Sequence, residues 1–387
     1  MTDKKHAKFS ASASFRWLAC PASIQATEEV PPHKRGKSSA FAEEGTIAHE
    51  VADLCLQNNF RPASYYEGKS LKEIAPEMKL QNYSNKFMIP EEMCEFVQDY
   101  VNYVSSHMSK DSVLFAEERV DYSHIVPEGF GTVDATVVDV VRNTLHVFDL
   151  KYGMGLKVDA MDNSQAQLYA LGMMAECEAF WDIDKVVIHI VQPRLGHFDH
   201  WETTPRDLIA FGHYCTERAD LALSDNPPYN PGEKQCKWCL AKTDCKALNE
   251  QVNEVMLPLF EDLDAKTLPF SEKKAILDNA KLIREYITAV EEEVYGILNS
   301  GGQFQGYKIV TGKPRRKWRK DIEHKLYSVI GDKAFKRSLI GVVQAEKLLG
   351  KEEIKQYVEI QDGKPVLAPE SDKRKAVTVE GFEDLDS

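Results

Sequence analysis

The chain has 387 residues, of which 43% are hydrophobic and 10% aromatic, so it can bury a full core and exceeds one typical domain. No run of about 18 apolar residues occurs, so no membrane-spanning helix is expected, and the N-terminal MTDKKHAKFSASAS lacks an apolar stretch, which argues against secretion and makes the cytoplasm the expected location. Net charge is −13, yet KPRRKWRK at 313–320 gathers six basic side chains and a tryptophan, leaving the remainder more acidic still.

In chain order, a short helix is predicted up to Cys20-Pro21, then a Pro-, Lys- and Ser-containing loop over 27–40. Residues 42–57 have helical periodicity, with Ile47, Val51, Leu54 and Cys55 on one face and His49 turned off the centre of that stripe. Residues 58–89 carry little signal. A helix is predicted over 90–108, opened by Pro90 and the acids Glu91 and Glu92. The period then changes to β-branched runs at 112–120, 131–141 and 144–151, with Arg142-Asn143 expected as a tight turn. A helix over 162–177, capped by Asn163 or Asp162, precedes a strand at 185–192, a partner strand at 197–203 and a helix at 205–223. An irregular, cysteine-bearing segment follows at 225–245, then a long helix at 271–298. Short strands and small helices are expected beyond Gly301-Gly302, and a disordered charged tail at the end. The order predicts an α/β fold with a mixed sheet flanked by helices. The expected division is a main domain at 1–250, a helical or α+β appendage at 251–373, and a tail at 374–387.

Strand geometry picks out the candidate chemistry. In Phe148-Asp-Leu-Lys151, Asp149 and Lys151 are two apart and project from one face. Gly131-Thr-Val-Asp134 precedes it on the neighbouring strand, so Asp134 can approach both. Two carboxylates suit Mg²⁺ or Mn²⁺, and an amine can orient a water beside the ion. Gln165 and Tyr169, four apart, share one face of the following helix and can support Lys151 or contact nucleic acid. His49 is a candidate further ligand. Glu117 or Glu118 is another candidate carboxylate, the strand register deciding between them.

Eight cysteines are present. Cys55, Cys94, Cys177 and Cys215 stand singly in apolar contexts and read as small buried hydrophobes. Cys236-Lys-Trp-Cys239, with Cys245 and the distant Cys20, reads as a metal site; thiolates at this spacing suit an iron–sulfur cluster or zinc.

In ordered set, His49, Asp134, Asp149, Lys151, Gln165 and Tyr169 resemble the RecB-like branch of the PD-(D/E)XK nuclease superfamily, over roughly residues 10–250. Phe148 stands where a Pro-Asp pair commonly precedes the second acid. The resemblance implies a restriction-endonuclease-like sheet and a Mg²⁺- or Mn²⁺-dependent deoxyribonuclease. Asp134, Asp149 and His49 would be ligands and Lys151 the catalytic amine, with Gln165 and Tyr169 beside it. The pattern Cys20…Cys236-x2-Cys239-x5-Cys245 resembles the [4Fe–4S] subset found in AddB-type helicase-nucleases and CRISPR-adaptation nucleases, and favours that cluster over zinc as a clamp on the N-terminal segment. Gly306-Tyr-Lys, Arg315-Arg-Lys-Trp318, Gln344-Ala-Glu-Lys-Leu-Leu-Gly350 and Pro369-Glu-Ser-Asp-Lys-Arg374 resemble the tail of a largely phage- and prophage-borne nuclease family. That likeness implies a role in phage DNA recombination, replication or end processing within the host cytoplasm. The implied partners are DNA, as single strand or duplex ends, and a phage single-strand-binding or replication protein. Arg315, Arg316, Lys317, Trp318 and Arg319 are the candidate strand-tracking residues. The alternative is a pseudo-nuclease module that binds DNA ends or a partner without cutting.

Overall fold

The computed structural model describes residues 7–31, 39–260, 269–310, 323–331 and 349–359, with 342 and 345. Its sheet has five strands in the order β1 (Ser112–Asp121), β2 (Phe130–Asp139), β3 (Thr144–Leu150), β4 (Lys185–Gln192) and β5 (His197–Thr203). All neighbours are antiparallel except β3 and β4, which are parallel and joined through a helix. The expected mixed sheet flanked by helices is therefore present.

Local chemistry fixes the ends of the helices. The first two, α1 (Ser14–Ala19) and α2 (Ser23–Glu28), flank Cys20. Ser39 caps α3 (Ala40–Gln57) by accepting from the Ala42 N–H at 3.1 Å. In the stretch that carried little signal, Ser70 and Glu73 form a capping box on the single turn of α4 (Leu71–Ile74). Pro90 opens α5 (Glu91–Ser106). Asn163, rather than Asp162, caps α6 (Ser164–Cys177), accepting from the Ala166 N–H at 3.1 Å. Thr204 caps α7 (Pro205–Leu223), with Pro205 in its first turn. The β2–β3 connection is a four-residue loop, not a two-residue turn. Asp139 Oδ1 accepts from the N–H groups of Val141 and Arg142, both at 3.1 Å, and Asn143 takes a left-handed φ of 48°.

One face of the sheet carries α6. Residues 166–173 of this helix are all buried, which explains why its sequence shows no clear polar face. Gly172 permits the contact: a Cβ there would lie 2.2 Å from Val120 Cγ1. Phe9, Trp17 and Leu18 of the N-terminal segment and Leu208, Cys215 and Ala219 of α7 complete this core. The opposite face packs on α3 and α5 through Ile47, Val51, Val97, Val101, Phe148 and Leu150. Cys55, Cys94, Cys177 and Cys215 are buried there or against α6, as expected of small hydrophobes.

The chain divides into two compact units, Met1–Ser300 and Gly301–Ser387. The division falls later than residue 250 because α8 (Glu233–Lys237), α9 (Lys246–Phe260) and α10 (Phe270–Asn299) share a small core of Leu248, Val252, Leu282 and Ile283 with Cys236 and Cys245. In the second unit the described residues hold α11 (Glu323–Ile330) and α12 (Lys351–Ile354) but none of the expected short strands. The basic run at 313–320 and the tail lie outside the described residues.

On the α5 face, aromatic rings are stacked across three strands. Phe148 lies on His189 at 4.3 Å and 11°, and His146 and His200 continue the pile at 5.3 and 6.1 Å from His189. Tyr103 Oη is 3.0 Å from His189 Nδ1, whose Nε2 is 3.0 Å from His146 Nδ1, so a neutral His189 is satisfied at both nitrogens. Burial, then neighbouring His107 and His146, hold His189 down to about 2; burial, then His107, hold His146 at about 4. Unfolded histidines titrate near 6.5, so as pH falls from 6.5 towards 4 the unfolded chain takes up protons that the folded chain refuses. Stability is complete above pH 6.5 and decreases below it. We expect a loss of about 2–4 kcal/mol between pH 7 and 4.5, discounted for the half-exposed His146, read from urea midpoints. The loss should shrink in His146→Phe; an unchanged pH dependence in that variant would contradict the assignment.

Candidate functional site

The site begins at an irregularity in the sheet. Strands β1 and β2 pair regularly from Ser112↔Asp139 to Ala116↔Ala135, and again from Glu118↔Val133 to Asp121↔Phe130. The rung between, Glu117 and Asp134, is missing, and Glu117 has a left-handed φ of 49°. Both strands roll over there. Ala135 and Val137 pack towards α3 and α5, whereas Val133 packs with the α6 core and a Cβ at Gly131 would meet the Tyr169 ring at 2.6 Å. A left-handed non-glycine residue costs about 1–2 kcal/mol. The roll places Asp134 between the two faces, within reach of both α3 and β3.

His49 on α3 brings Nδ1 to 3.0 Å from Asp134 Oδ1, and the Leu150 N–H donates to Asp134 Oδ2 at 2.7 Å. The Lys151 ammonium lies 2.9 Å from Asp149 Oδ1 and 2.8 Å from Oδ2, but only the first contact is angled as a hydrogen bond. Lys151 also donates to Gln165 Oε1 at 3.1 Å. Five of the six residues expected at the site thus form a His49–Asp134 pair, bonded to the Leu150 N–H, and an Asp149–Lys151–Gln165 chain. Tyr169, the sixth, stands over Gly131 and hydrogen-bonds with Gln165.

Burial opposes every charge here, and the partners decide the outcome. It raises Asp149, with the Asp134 charge adding to the effect against Lys151. It works to raise Asp134 as well, but His49 and the Leu150 N–H outweigh it and hold that carboxyl low. Burial disfavours a charged His49, yet Asp134 lifts the imidazole to about 9; Lys151 is likewise raised by Asp149.

Of the two glutamates left open by the sequence, Glu117 belongs to the site: burial, then Asp134, push it up to about 7. Tyr100 on α5 was not singled out. Its hydroxyl is buried without a hydrogen-bond partner among the described residues, and burial followed by Asp134, Asp149 and Glu117 raises it well above its ordinary value. In sequence it belongs to the apolar stripe of Val97, Val101 and Val104, so only its fold neighbours separate it from a core tyrosine.

His49, Asp134 and Asp149 carry donor types that a divalent cation takes, with His49 Nδ1 and Asp134 Oδ1 hydrogen-bonded to each other at 3.0 Å. Asp149 Oδ2 is a buried oxygen with no directed donor. Asp149 is drawn towards Lys151, and the three side chains do not bring their donor atoms within 4.8 Å of one another. Among the described residues the trio that does so is Asp159, His197 and Asp199, which the sequence reading did not mark. Asp199 occupies the same cross-sheet row as Asp149, with Ile190 between. It accepts from the Ala160 N–H at 2.8 Å, and His197 Nε2 is 2.9 Å from the Val158 carbonyl, so this trio fastens the loop between β3 and α6.

Cys20, Cys236, Cys239 and Cys245 line one cavity with Tyr229, Pro231 and Lys242. Backbone N–H groups of Asn230 and Gly232 already point at the sulfurs of Cys20 and Cys236, at 3.4 and 3.3 Å, and that of Ala241 at Cys239. Arg16 supplies positive charge beside Cys20 and Cys239. Burial raises Cys20 and Cys239 and pushes Cys236 up to about 11, so a metal must displace their protons. The donor set fits a thiophilic centre. One zinc would gather its sulfurs about 3.8 Å apart given Zn–S near 2.3 Å, whereas no three of these cysteines lie mutually within 4.8 Å.

The N-terminal segment is also held by bonds that involve no cysteine. Arg218 Nε donates to the Leu18 carbonyl at 2.7 Å, Gln25 Nε2 to Ala222 and Ser224 at 3.0 and 2.9 Å, and Trp17 is fully buried. The weaker partner is the α8–α10 group, whose core is four residues. Cys20→Ala should therefore leave the sheet and N-terminal segment folded while accelerating limited proteolysis within 231–300; protection unchanged from the parent would contradict this. A second expectation concerns His49. Holding its proton up to about pH 9, it must lose that proton to ligate, so Mn²⁺ affinity measured by titration calorimetry should rise with pH between 6 and 9, by up to about tenfold per unit. The slope should flatten in His49→Ala.

Among the described residues, no helix is long and apolar enough to cross a membrane. The model of a family described as "Protein of unknown function (DUF2800)" matches residues 6–375, and this chain belongs to that family.

Proposed function

We propose that the protein is a Mg²⁺- or Mn²⁺-dependent deoxyribonuclease of the RecB-like PD-(D/E)XK kind, serving phage or prophage DNA recombination, replication or end processing. The observation that carries this reading is the convergence of Asp134, Asp149 and Lys151 from paired strands with His49 from α3. Asp134, Asp149 and His49 hold the cation, which when bound supplies positive charge to the scissile phosphate and acidifies a water. Lys151, steered by Gln165, is placed to orient the attacking water and to offset charge developing on the phosphate. Glu117, close to neutrality at its raised value, can take up a proton beside Asp134. His49, and after it the backbone N–H of Leu150, favour the ionised form of Asp134.

Cys20, Cys236, Cys239 and Cys245 hold a [4Fe–4S] cluster in this reading. Support comes from their shared cavity and from N–H donors aimed at three sulfurs. Anaerobically purified protein should be brown with about four irons per chain; colourless protein with one zinc would overturn the cluster while retaining a metal clamp.

The activity test is incubation of end-labelled single- and double-stranded DNA with Mg²⁺ or Mn²⁺. Cleavage is expected, with Asp149→Asn and Asp134→Asn inactive and Lys151→Ala reduced by about 100-fold or more at unchanged folding. Wild-type-like cleavage by Asp149→Asn would remove this site from the reaction.

A further inference from the structure

We propose that the C-terminal end of α6 is a docking surface for a basic segment of a partner protein, which enters with an arginine side chain. This surface is independent of the nuclease reading. Helix α6 begins beside Lys151 at Gln165 and ends at Cys177, so its two ends are about 20 Å apart at 1.5 Å per residue.

Three observations converge at that end. The first is an aromatic cleft lined by Phe115, Met173, Glu176, Cys177, Phe180 and Trp181. Trp181 stands 6.3 Å from Phe115 at 73° and 5.6 Å from Phe180 at 48°, so the rings form angled walls rather than a closed stack. Phe180 is 75% exposed, a large apolar ring left in water beside a cleft it could help to close over a ligand. Ring faces carry negative potential and attract cations, and a planar guanidinium can stack on one wall while its edge reaches a carboxylate.

The second observation is charge. Glu176, Glu178, Asp182 and Asp184 are all exposed, and residues 176–184 include no Lys, Arg or His. Glu176 Oε1 has one long contact, from the Asp121 N–H at 3.4 Å, while Asp184 Oδ2 accepts from Asn143 Nδ2 at 2.8 Å. The adjacent Lys185 is engaged with Glu202 at 3.3 Å.

The third is the helix itself. A helix C-terminus carries partial negative charge that basic residues in the last turn usually offset, and α6 has none there. Field, carboxylates and ring faces thus favour the same ligand, a cation carried on an apolar stem. They repel nucleic-acid phosphate, so a protein segment is the occupant. Arginine suits the site better than lysine because the fork can bond Glu176 while its plane lies on Trp181.

The test is titration calorimetry of the full chain, at low salt, with the acetylated and amidated tetrapeptide Gly-Arg-Arg-Gly and with its citrulline counterpart. Citrulline keeps the shape of arginine and removes its charge. Saturable binding of the arginine peptide is expected, roughly tenfold tighter than the citrulline peptide. Glu176→Gln and Phe180→Ser, both at exposed positions, should each weaken it by about threefold or more. Equal binding of the two peptides would reduce the surface to an apolar cleft and overturn the proposal. So would arginine binding unchanged in both variants, or no saturable binding up to about 10 mM peptide, far weaker than a useful anchor.

Discussion

Two carboxylates held next to each other, Asp149 buried and Asp134 half-buried, are the constraint around which this molecule is arranged. Asp134 and Asp149 sit on adjacent strands in low-dielectric surroundings, where unpaired charges are costly by several kcal/mol each. Three nearby elements supply something to offset that cost. Helix α3 brings the His49 imidazole, β3 brings the Leu150 N–H and Lys151, and α6 brings Gln165 to steer the ammonium. The result is a set of opposed charges in which each carboxylate has a basic partner, His49 for Asp134 and Lys151 for Asp149.

The strand irregularity at Glu117 and Asp134 is what makes the arrangement possible. A regular ladder would commit Asp134 to one face of the sheet, either to α6 or to α3. By rolling over at the missing rung, β2 lets one residue serve both, at the cost of a left-handed glutamate on β1. Such strain is expected at functional positions, where the surrounding structure holds it in place. The same roll carries Gly131 under Tyr169 and leaves Tyr100 facing the acids from the α5 side.

The protein also separates its rigid and its conditional parts. The sheet, the N-terminal segment, α6 and α7 share one large core, strengthened by polar bonds from Arg218 and Gln25. Helices α8, α9 and α10 share a small core adjoining the four cysteines. The N-terminal segment, which supplies Cys20, has the large core and these polar bonds to hold it, whereas the helical group that supplies Cys236, Cys239 and Cys245 has only the small one.

Several features were legible in the amino-acid sequence because their causes are local. The β-branched runs gave β1, β2 and β3, Asn163 or Asp162 marked the start of α6, and the two-residue spacing of Asp149 and Lys151 put both on one face. His49, lying off the apolar stripe of its helix, was free to turn to Asp134. Other features depend on register and packing across long separations. Glu117 rather than Glu118 faces the site because a rung is skipped. Tyr100 looks like any core tyrosine until three carboxylates are brought to it from other strands. Asp159, His197 and Asp199 meet only because β5 lies beside β4, and Glu176 lines an aromatic cleft only because Phe115 arrives from β1. Sequence by itself determined the elements and the chemically competent residues, since backbone preference and side-chain periodicity act within a few positions. The tertiary structure alone decided which of those residues share a dielectric and a distance, because charge, burial and pairing are properties of neighbours that the chain order does not record.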